Sequence, residues 1–272
     1  MKKVVVLLVF AVVLLVGDTV LDKSGIESSF GAEKACDSGN MHGCYDLGLM
    51  YAFGNGVEKD FGKAAELYKK ACDSGNMRGC HNLGVMYTSG NGVEKDFSKA
   101  VELFKKACDG GEMPSCSNLG FMYANGKGVE KNEQKAVELY KKVCDGGEMN
   151  GCYNLGFMYA NGKGVEKNVK KAMDLYNKAC DGGHMRGCSN LGSMYTNGDG
   201  VKKDFGKAVQ LFKKACDGGD MLGCSNLGSM YADGKGVEKD LGKAAELYKK
   251  ACDGGDLDGC RNLVVMYEKA ME

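Results

Sequence analysis

The sequence has no net charge and little histidine. Its 272 residues include 36 basic and 36 acidic side chains, so nothing steers the chain toward nucleic acid or an anionic membrane surface. The three histidines are His42, His81 and His184. Histidines this scattered cannot form a compact zinc hydrolase site, and no H-E-x-x-H motif occurs. We therefore predict no nucleic-acid partner, no metal site and no cofactor.

Catalytic motifs are absent as well. The S-x-x-K, S-D-N and K-T-G motifs of serine β-lactamases do not occur. The recurring Gly-x-Gly-Val-x-Lys segment is not a P-loop, because its glycine spacing differs and because it lies between predicted helices. We interpret this segment as a tight turn between helices. The residues alone thus predict no enzyme chemistry.

Cysteine, in contrast, is abundant and strictly ordered. All 14 cysteines belong to C-x7-C pairs that recur every 36 residues. The pairs are Cys36 and Cys44, Cys72 and Cys80, Cys108 and Cys116, Cys144 and Cys152, Cys180 and Cys188, Cys216 and Cys224, and Cys252 and Cys260. A fixed period of about 20 to 50 residues is typical of a solenoid, in which each unit mainly contacts its neighbours.

Each period predicts two helices, and the segment from Asp60 to Ser89 shows both. Asp60 is a suitable N-cap for the first helix. The apolar stripe of that helix is Ala64, Leu67, Tyr68, Ala71 and Cys72. The segment from Asp73 to Asn76 ends it, and a second helix follows from about Met77 to Ser89. The period is therefore a helix–turn–helix unit.

The second helix carries a repeated glycine on its predicted buried face, which comprises Cys80, Leu83, Gly84 and Tyr87. Glycine inside a helix costs about 1 kcal/mol relative to alanine, so its recurrence indicates a close approach by another helix. The last period has Val264 at this position, and no further period follows. We therefore expect the glycine to make room for the next unit.

The N-terminal segment has the pattern of a signal peptide. Lys2 and Lys3 precede an unbroken apolar run from Val4 to Val16, which is too short for a comfortable membrane span. We assign residues 1–23 to the signal peptide and residues 24–272 to the repeats, with an uncleaved anchor as the alternative. In both cases the repeats leave the cytoplasm, and we expect a secreted or periplasmic protein without a membrane span in its mature form.

The cysteine spacing favours a disulfide bridge inside each hairpin. Cys72 and Cys80 each lie four residues from Asn76, and positions symmetric about a short turn face one another. A loop of this size contributes roughly 2.5 kcal/mol in the chain-entropy model. A bridge from Cys44 to Cys72, across the loop between two hairpins, is the less favoured alternative.

These residues resemble the Sel1-like repeat family, relatives of the tetratricopeptide repeats. The matching signature is Asn-Leu-Gly-x-Met-Tyr-x-x-Gly-x-Gly-Val-x-Lys-Asp followed by Lys-Ala-x-x-Leu-Tyr-Lys-Lys-Ala. The paired cysteines are similar to those of a secreted subgroup typified by the Helicobacter cysteine-rich proteins. The resemblance implies an all-α fold: an α/α solenoid in which seven repeats, each closed by one disulfide, form a right-handed superhelix with a concave groove.

The resemblance also implies an exported protein that binds a protein or peptide, including host-derived partners. Some members of the subgroup are named β-lactamases. The alternative function is therefore weak penicillin binding or β-lactam hydrolysis, with a β-lactam or a peptidoglycan fragment as ligand. Because the residues show no catalytic motif, we favour the binding function.

One face of the second helix varies between periods and is a candidate binding surface. Within it one position hardly changes: Asp46 in the first period is followed by asparagine in all later ones. The copies that we assign to peptide binding are Asn82, Asn118, Asn154, Asn190 and Asn226. An asparagine amide can pair with both the N–H and the C=O of an extended peptide. The alternative is a structural role, in which each amide bonds a neighbouring loop carbonyl.

Overall fold

The computed structural model describes the backbone of residues 23–271 and the side chains of residues 28–268. Within this range the protein consists of 14 α-helices and contains no β-strand. No helix in the described range is long and apolar enough to cross a membrane. The predicted signal peptide lies outside the described residues except for Lys23, with which the first helix begins.

The helices form seven consecutive hairpins, which divide into two compact units between Lys95 and Asp96. Hairpins 1 and 2, in the first unit, consist of α1 (Lys23–Asp37), α2 (Met41–Phe53), α3 (Phe61–Asp73) and α4 (Met77–Ser89). Hairpins 3 to 7, in the second unit, consist of α5 (Phe97–Asp109), α6 (Met113–Asn125), α7 (Glu133–Asp145), α8 (Met149–Asn161), α9 (Val169–Asp181), α10 (Met185–Asn197), α11 (Phe205–Asp217), α12 (Met221–Asp233), α13 (Leu241–Asp253) and α14 (Leu257–Met271).

Within each unit the hairpins stack in chain order, as in an α-solenoid. The predicted all-α fold of seven helix–turn–helix repeats is confirmed, and the bounds of α3 and α4 agree with the sequence pattern. The right-handed superhelix and its concave groove concern the whole chain and stay predictions.

The first helix of hairpins 2 to 7 begins at a side-chain cap and buries one stripe. In α3 the Asp60 carboxylate accepts a hydrogen bond from the Lys63 backbone N–H at 3.0 Å, which satisfies one of the free donors at the helix start. The predicted stripe is buried except for Leu67, which is half-buried. The same cap recurs at Asp96, Asn132, Asn168, Asp204 and Asp240.

The second helix ends at a glycine turn, as the sequence predicts. Gly126, directly after α6, has φ 67°, and its N–H donates to the Met122 carbonyl. Gly128 also has a positive φ, and a Cβ on this residue would collide with the backbone of Phe97. The Gly-x-Gly pair therefore allows both the left-handed turn and the close passage over the preceding first helix.

The glycine inside α2, α6, α8, α10 and α12 makes room for an aromatic ring from the next hairpin. A Cβ on Gly120 would lie 2.8 Å from the Tyr140 ring, and one on Gly228 would lie 2.9 Å from the Tyr248 ring. Val264, at the equivalent position of α14, is 55% exposed. The predicted close approach is confirmed.

One part of the predicted buried face is wrong. Tyr87 is half-buried, whereas Met86, which the sequence interpretation omitted, is buried. The buried face of the second helix thus turns toward the methionine, and the tyrosine lies at its edge. In hairpin 3 a lysine of the following hairpin covers the ring of the equivalent tyrosine: Lys135 Nζ lies 5.1 Å from the centroid of Tyr123.

All seven predicted disulfides form inside hairpins, with Cα–Cα distances between 4.4 and 4.7 Å. The bridges join Cys36 to Cys44, Cys72 to Cys80, Cys108 to Cys116, Cys144 to Cys152, Cys180 to Cys188, Cys216 to Cys224 and Cys252 to Cys260. The alternative pairing of Cys44 with Cys72 is therefore wrong.

The bridges also belong to the core between hairpins. Cys144 and Cys152 pack against Ala179 of the next first helix. In the same way Cys180 and Cys188 pack against Ala215. Each of these disulfides thus closes one hairpin and supports its contact with the next.

A lysine joins neighbouring hairpins at the end of the first helix. Lys142 Nζ donates to the Cys108 carbonyl at 2.9 Å, and Lys178 Nζ donates to the Cys144 carbonyl at 3.3 Å. The last carbonyls of a helix have no partner within the helix, and the helix dipole favours a cation there. This contact depends on the stacking of two hairpins, and the sequence interpretation did not predict it.

Candidate functional site

The candidate site is the asparagine face, defined as the second-helix surface that carries Asn118, Asn154, Asn190 and Asn226 in the second unit. Asn82 is the equivalent residue in the first unit. All five predicted peptide-binding residues are half-buried and lie one residue before a buried leucine. The 36-residue repeat therefore gives each hairpin of the second unit one amide at the same place, and the last copy is Asn262.

Two of these amides already have a partner inside the protein. The Asn82 side chain hydrogen-bonds the Tyr68 hydroxyl, and the Asn190 side chain hydrogen-bonds the Tyr176 hydroxyl. Burial raises the pKa of both tyrosines to about 12, and the asparagine bonds partly oppose that rise. In these hairpins the amide stabilises the hairpin, although its partner is a hydroxyl and not the predicted loop carbonyl.

The other assigned amides differ. Phe104 and Phe212 replace the tyrosine in hairpins 3 and 6, so Asn118 and Asn226 have no hydroxyl at that position. In hairpin 4, burial alone raises the pKa of Tyr140 to about 12. Within residues 28–268, the amides of Asn118, Asn154 and Asn226 make no side-chain hydrogen bond to the protein. They are therefore available to a ligand.

Next to the amides, hairpins 3 and 4 expose two aromatic rings. Phe121 is 48% exposed and Phe157 is 40% exposed. Lys127 Nζ lies 5.2 Å from the Phe121 centroid, and Lys163 Nζ lies 5.1 Å from the Phe157 centroid. We call each ring with its lysine a platform. Exposed aromatic side chains of this kind are typical of contact surfaces.

Hairpins 5 and 6 have serine where the platforms have phenylalanine. The Ser193 hydroxyl donates to the Ser189 carbonyl at 3.0 Å, and the Ser229 hydroxyl donates to the Ser225 carbonyl at 3.2 Å. The Tyr248 hydroxyl donates to Ser229 Oγ at 3.0 Å. These serines thus bond within the repeat stack. A cleft of about 390 Å³ lies beside Ser193, and Tyr176, Asn190 and residues of the adjoining loops also line it.

A polar cluster joins hairpins 4, 5 and 6. His184 stacks on Tyr153 with a centroid distance of 4.6 Å, and burial lowers the pKa of this histidine. The Ser189 hydroxyl donates to the Asp220 carboxylate, which also accepts from the Gly223 N–H at 3.3 Å at the start of α12. The serine and the carboxylate thus join hairpins 5 and 6, and the imidazole stacks on a ring of hairpin 4.

Two further observations concern chemistry. Within the described residues, no group of three or more His, Cys, Asp and Glu side chains could hold a metal ion. The described cysteines are all in disulfides, so none of them is a free thiol. Seven disulfides are typical of an oxidising environment outside the cytoplasm.

The comparison with solved structures shows the same repeat architecture. A protective antigen of uropathogenic Escherichia coli with an SLR fold is 29% identical, with a TM-score of 0.79. The alignment covers 89% of this chain and 52% of that one, so the chain spans about half the length of that protein. A Sel1 repeat protein from Oxalobacter formigenes is 22% identical, with a TM-score of 0.75, over 82% of this chain and 96% of that one.

Helicobacter pylori cysteine rich protein B is 38% identical over 49% of this chain and 96% of its own, with a TM-score of 0.41. A search of the curated proteins found no match. The family model for the Sel1 repeat matches six segments, namely residues 42–76, 78–112, 114–148, 150–184, 186–220 and 222–256. These segments cover more than half of the sequence, and Sel1 repeats generally serve as protein-interaction modules. The chain therefore belongs to the Sel1 repeat family.

Proposed function

We propose that this protein is an exported scaffold, secreted or periplasmic, that binds a protein or peptide segment along its asparagine face. The observation that carries the proposal is the set of half-buried amides without a partner in the protein, at Asn118, Asn154 and Asn226. A half-buried amide that bonds nothing in the protein is suited to the backbone of a bound segment, because it can donate and accept at once.

Three further features support this proposal. The exposed rings of Phe121 and Phe157 lie on the same helices as two of the unpartnered amides. The cleft beside Asn190 is large enough to take a side chain of a bound segment. The seven disulfides favour a protein that functions outside the cytoplasm, in agreement with the N-terminal sequence pattern.

The test begins with a random-peptide library selected on the full chain, produced by export so that its disulfides form. An enriched peptide is then titrated by fluorescence polarisation against wild type and the double variant Asn118→Ala with Asn154→Ala. Each lost backbone contact is worth about 1 kcal/mol, so the double variant should bind roughly ten- to hundredfold more weakly. Its melting temperature should change little, because neither amide bonds the protein.

The matched control is Asn177→Ala, since this exposed asparagine of α9 bonds only Asp181 at 3.0 Å. It should leave the affinity unchanged. Either an unchanged affinity of the double variant or a fall in its melting temperature by many degrees would indicate that the asparagines have a structural role. Either result would contradict the proposal. Sustained nitrocefin turnover by the purified protein would instead favour the β-lactamase alternative.

A further inference from the structure

The two platforms differ from the rest of the asparagine face in charge as well as in exposure. Lys127 and Lys163 form no ion pair within the described residues, and Lys127 also lies 5.8 Å from the centroid of Phe97. The Glu133 carboxylate pairs with Lys131 at 2.8 Å, which lowers the pKa of that carboxyl, and Lys163 adds only a weaker electrostatic interaction with it. In hairpin 6 the equivalent Lys235 pairs with Asp233 at 2.8 Å. Each platform therefore offers an apolar surface beside a lysine that forms no ion pair within the described residues.

The spacing between the platforms follows from helix packing. Second helices of neighbouring hairpins approach each other: α10 packs against α12, and the Asn150 amide of α8 donates to Ser117 Oγ of α6 at 3.3 Å. The axes of packed helices lie about 8 to 10 Å apart. The same 36-residue period relates α6 to α8. Phe121 and Phe157 should therefore present their rings at an interval of roughly 9 Å, with the amides of Asn118 and Asn154 at the same interval.

Only one regular conformation of a peptide fits both the rings and the amides. A polyproline II helix has three residues per turn and rises about 3.1 Å per residue, so residues i and i+3 share one face about 9 Å apart. In a β-strand residues i and i+3 point to opposite faces. In an α-helix the backbone N–H and C=O groups are already paired, so the amides could not bond them.

We propose that the platforms form a site for a polypeptide segment in the polyproline II conformation, with apolar side chains at i and i+3 and carboxylates beside them. This inference rests on the proposed function and names the ligand of its asparagine face. The apolar side chains contact Phe121 and Phe157, the carboxylates pair with Lys127 and Lys163, and the amides of Asn118 and Asn154 bond the open backbone. The charge complementarity selects an acidic segment over a basic one.

The probe is a fluorescein-labelled peptide of four Leu-Pro-Glu triplets, titrated against the disulfide-intact full chain. Two control peptides accompany it: four Leu-Pro-Lys triplets, and a shuffled peptide of the same composition with leucines at i and i+2. We expect the first peptide to bind at least about tenfold more tightly than either control. Equal affinity for the shuffled peptide would overturn the spacing argument.

The chain itself provides the variants. Ser193 and Asp199 stand in hairpin 5 where hairpin 3 has Phe121 and Lys127, so the repeat tolerates both replacements. Phe121→Ser with Phe157→Ser should weaken the Leu-Pro-Glu peptide by roughly tenfold or more. Lys127→Asp with Lys163→Asp should reverse the preference between the acidic and the basic peptide. Leu241→Ser, which removes an exposed leucine from α13, should change nothing.

The outcomes separate this inference from the proposed function. A library-derived peptide that depends on Asn118 and Asn154 but shows no preference for the Leu-Pro-Glu series leaves the binding function intact and refutes the polyproline II ligand. If binding of the Leu-Pro-Glu peptide instead depends on Phe121 and Phe157 but not on the amides of Asn118 and Asn154, that result supports the platforms and contradicts the proposed role of the amides. Unaltered binding by the double phenylalanine variant rejects the platforms themselves.

Discussion

Hairpins 3 and 4 and hairpins 5 and 6 share one scaffold but differ in their exposed second-helix surface. Each of the four has a disulfide between its helices, a side-chain cap at the start of its first helix and a glycine beneath the next aromatic ring. On the exposed surface, Phe121 and Phe157 with their lysines give way to Ser193 and Ser229, which bond inward.

This comparison shows which positions of the repeat serve the fold and which are free to serve binding. The shared positions are buried or make backbone contacts, so a change there would disturb the stacking of hairpins. The positions that differ have their side chains at the surface, where most substitutions change stability by less than about 0.5 kcal/mol. Differences between hairpins therefore concentrate where a ligand could contact them.

The largest expected effect tests the shared scaffold. Two double variants each remove one bridge: Cys144→Ala with Cys152→Ala in hairpin 4, and Cys216→Ala with Cys224→Ala in hairpin 6. Each should lower the free energy of unfolding by about 2.5 kcal/mol. Thermal melts should show a fall of roughly 5 to 10 °C for both variants. Full reduction should lower the melting temperature much further. A clear difference between the two variants would show that the hairpins do not share one scaffold.

Substituting the glycine beneath the aromatic ring should destabilise the protein less than the loss of a bridge, and to a similar extent in hairpins 4 and 5. A Cβ on Gly156 would lie 3.0 Å from the Tyr176 ring, and one on Gly192 would lie 2.7 Å from the Phe212 ring. Overpacking costs about 1 to 3 kcal/mol, and the better helix propensity of alanine returns up to about 1 kcal/mol. Gly156→Ala and Gly192→Ala should thus both lower the melting temperature.

The control for these glycine variants is Val264→Ala at the equivalent position of α14. Because this valine is exposed, its truncation should change the free energy of unfolding by less than about 0.5 kcal/mol. If the control destabilised the protein as much as the glycine variants do, contact with the next hairpin would not be the reason for glycine.

The scaffold was predictable from the sequence because its determinants are local and repeat. The N-cap at Asp60, the turn between Cys72 and Cys80 and the glycine at Gly120 each occur at a fixed distance from the helix that they shape. The lysines that join neighbouring hairpins at the end of the first helix were not predicted, because the bond from Lys142 to the Cys108 carbonyl needs two stacked hairpins. The site was only partly predictable: the sequence places the amides at equivalent positions, but it does not show which of them bond a tyrosine, since Asn190 bonds Tyr176 whereas Asn154 does not bond Tyr140.

The asparagines should separate stability from binding. Asn190→Ala removes the partner of the buried Tyr176 hydroxyl and should cost about 1 kcal/mol, or roughly 2 to 4 °C in melting temperature. Asn118→Ala, opposite Phe104, should change stability by less than about 0.5 kcal/mol and should weaken peptide binding instead. Adding Tyr176→Phe to Asn190→Ala should restore part of the loss, because both polar partners are then absent. Equal melting temperatures for both single variants would refute the distinction.

The smallest expected effect concerns the tyrosines at alkaline pH. Burial raises the pKa of Tyr140 to about 12, whereas an exposed tyrosine in the unfolded chain has a pKa of about 10. The folded protein therefore keeps a proton that the unfolded chain releases, so stability is complete below pH 10 and falls as the pH rises toward 12. Tyr140→Phe, which copies Phe104 and Phe212, removes this loss.

At about pH 8 the Tyr140→Phe variant and wild type should therefore respond to pH alike, and any difference in stability between them should have another cause. At about pH 10.5 the free energy of unfolding of the variant, relative to wild type, should be a little under 1 kcal/mol higher than it is at about pH 8. Thermal melts at the two pH values can resolve this change. Ultraviolet absorbance of the tyrosinate should show one fewer late-ionising tyrosine in the variant. A Tyr140 that ionises with the exposed tyrosines would mean that hairpin 4 does not bury this ring as hairpin 6 buries Phe212.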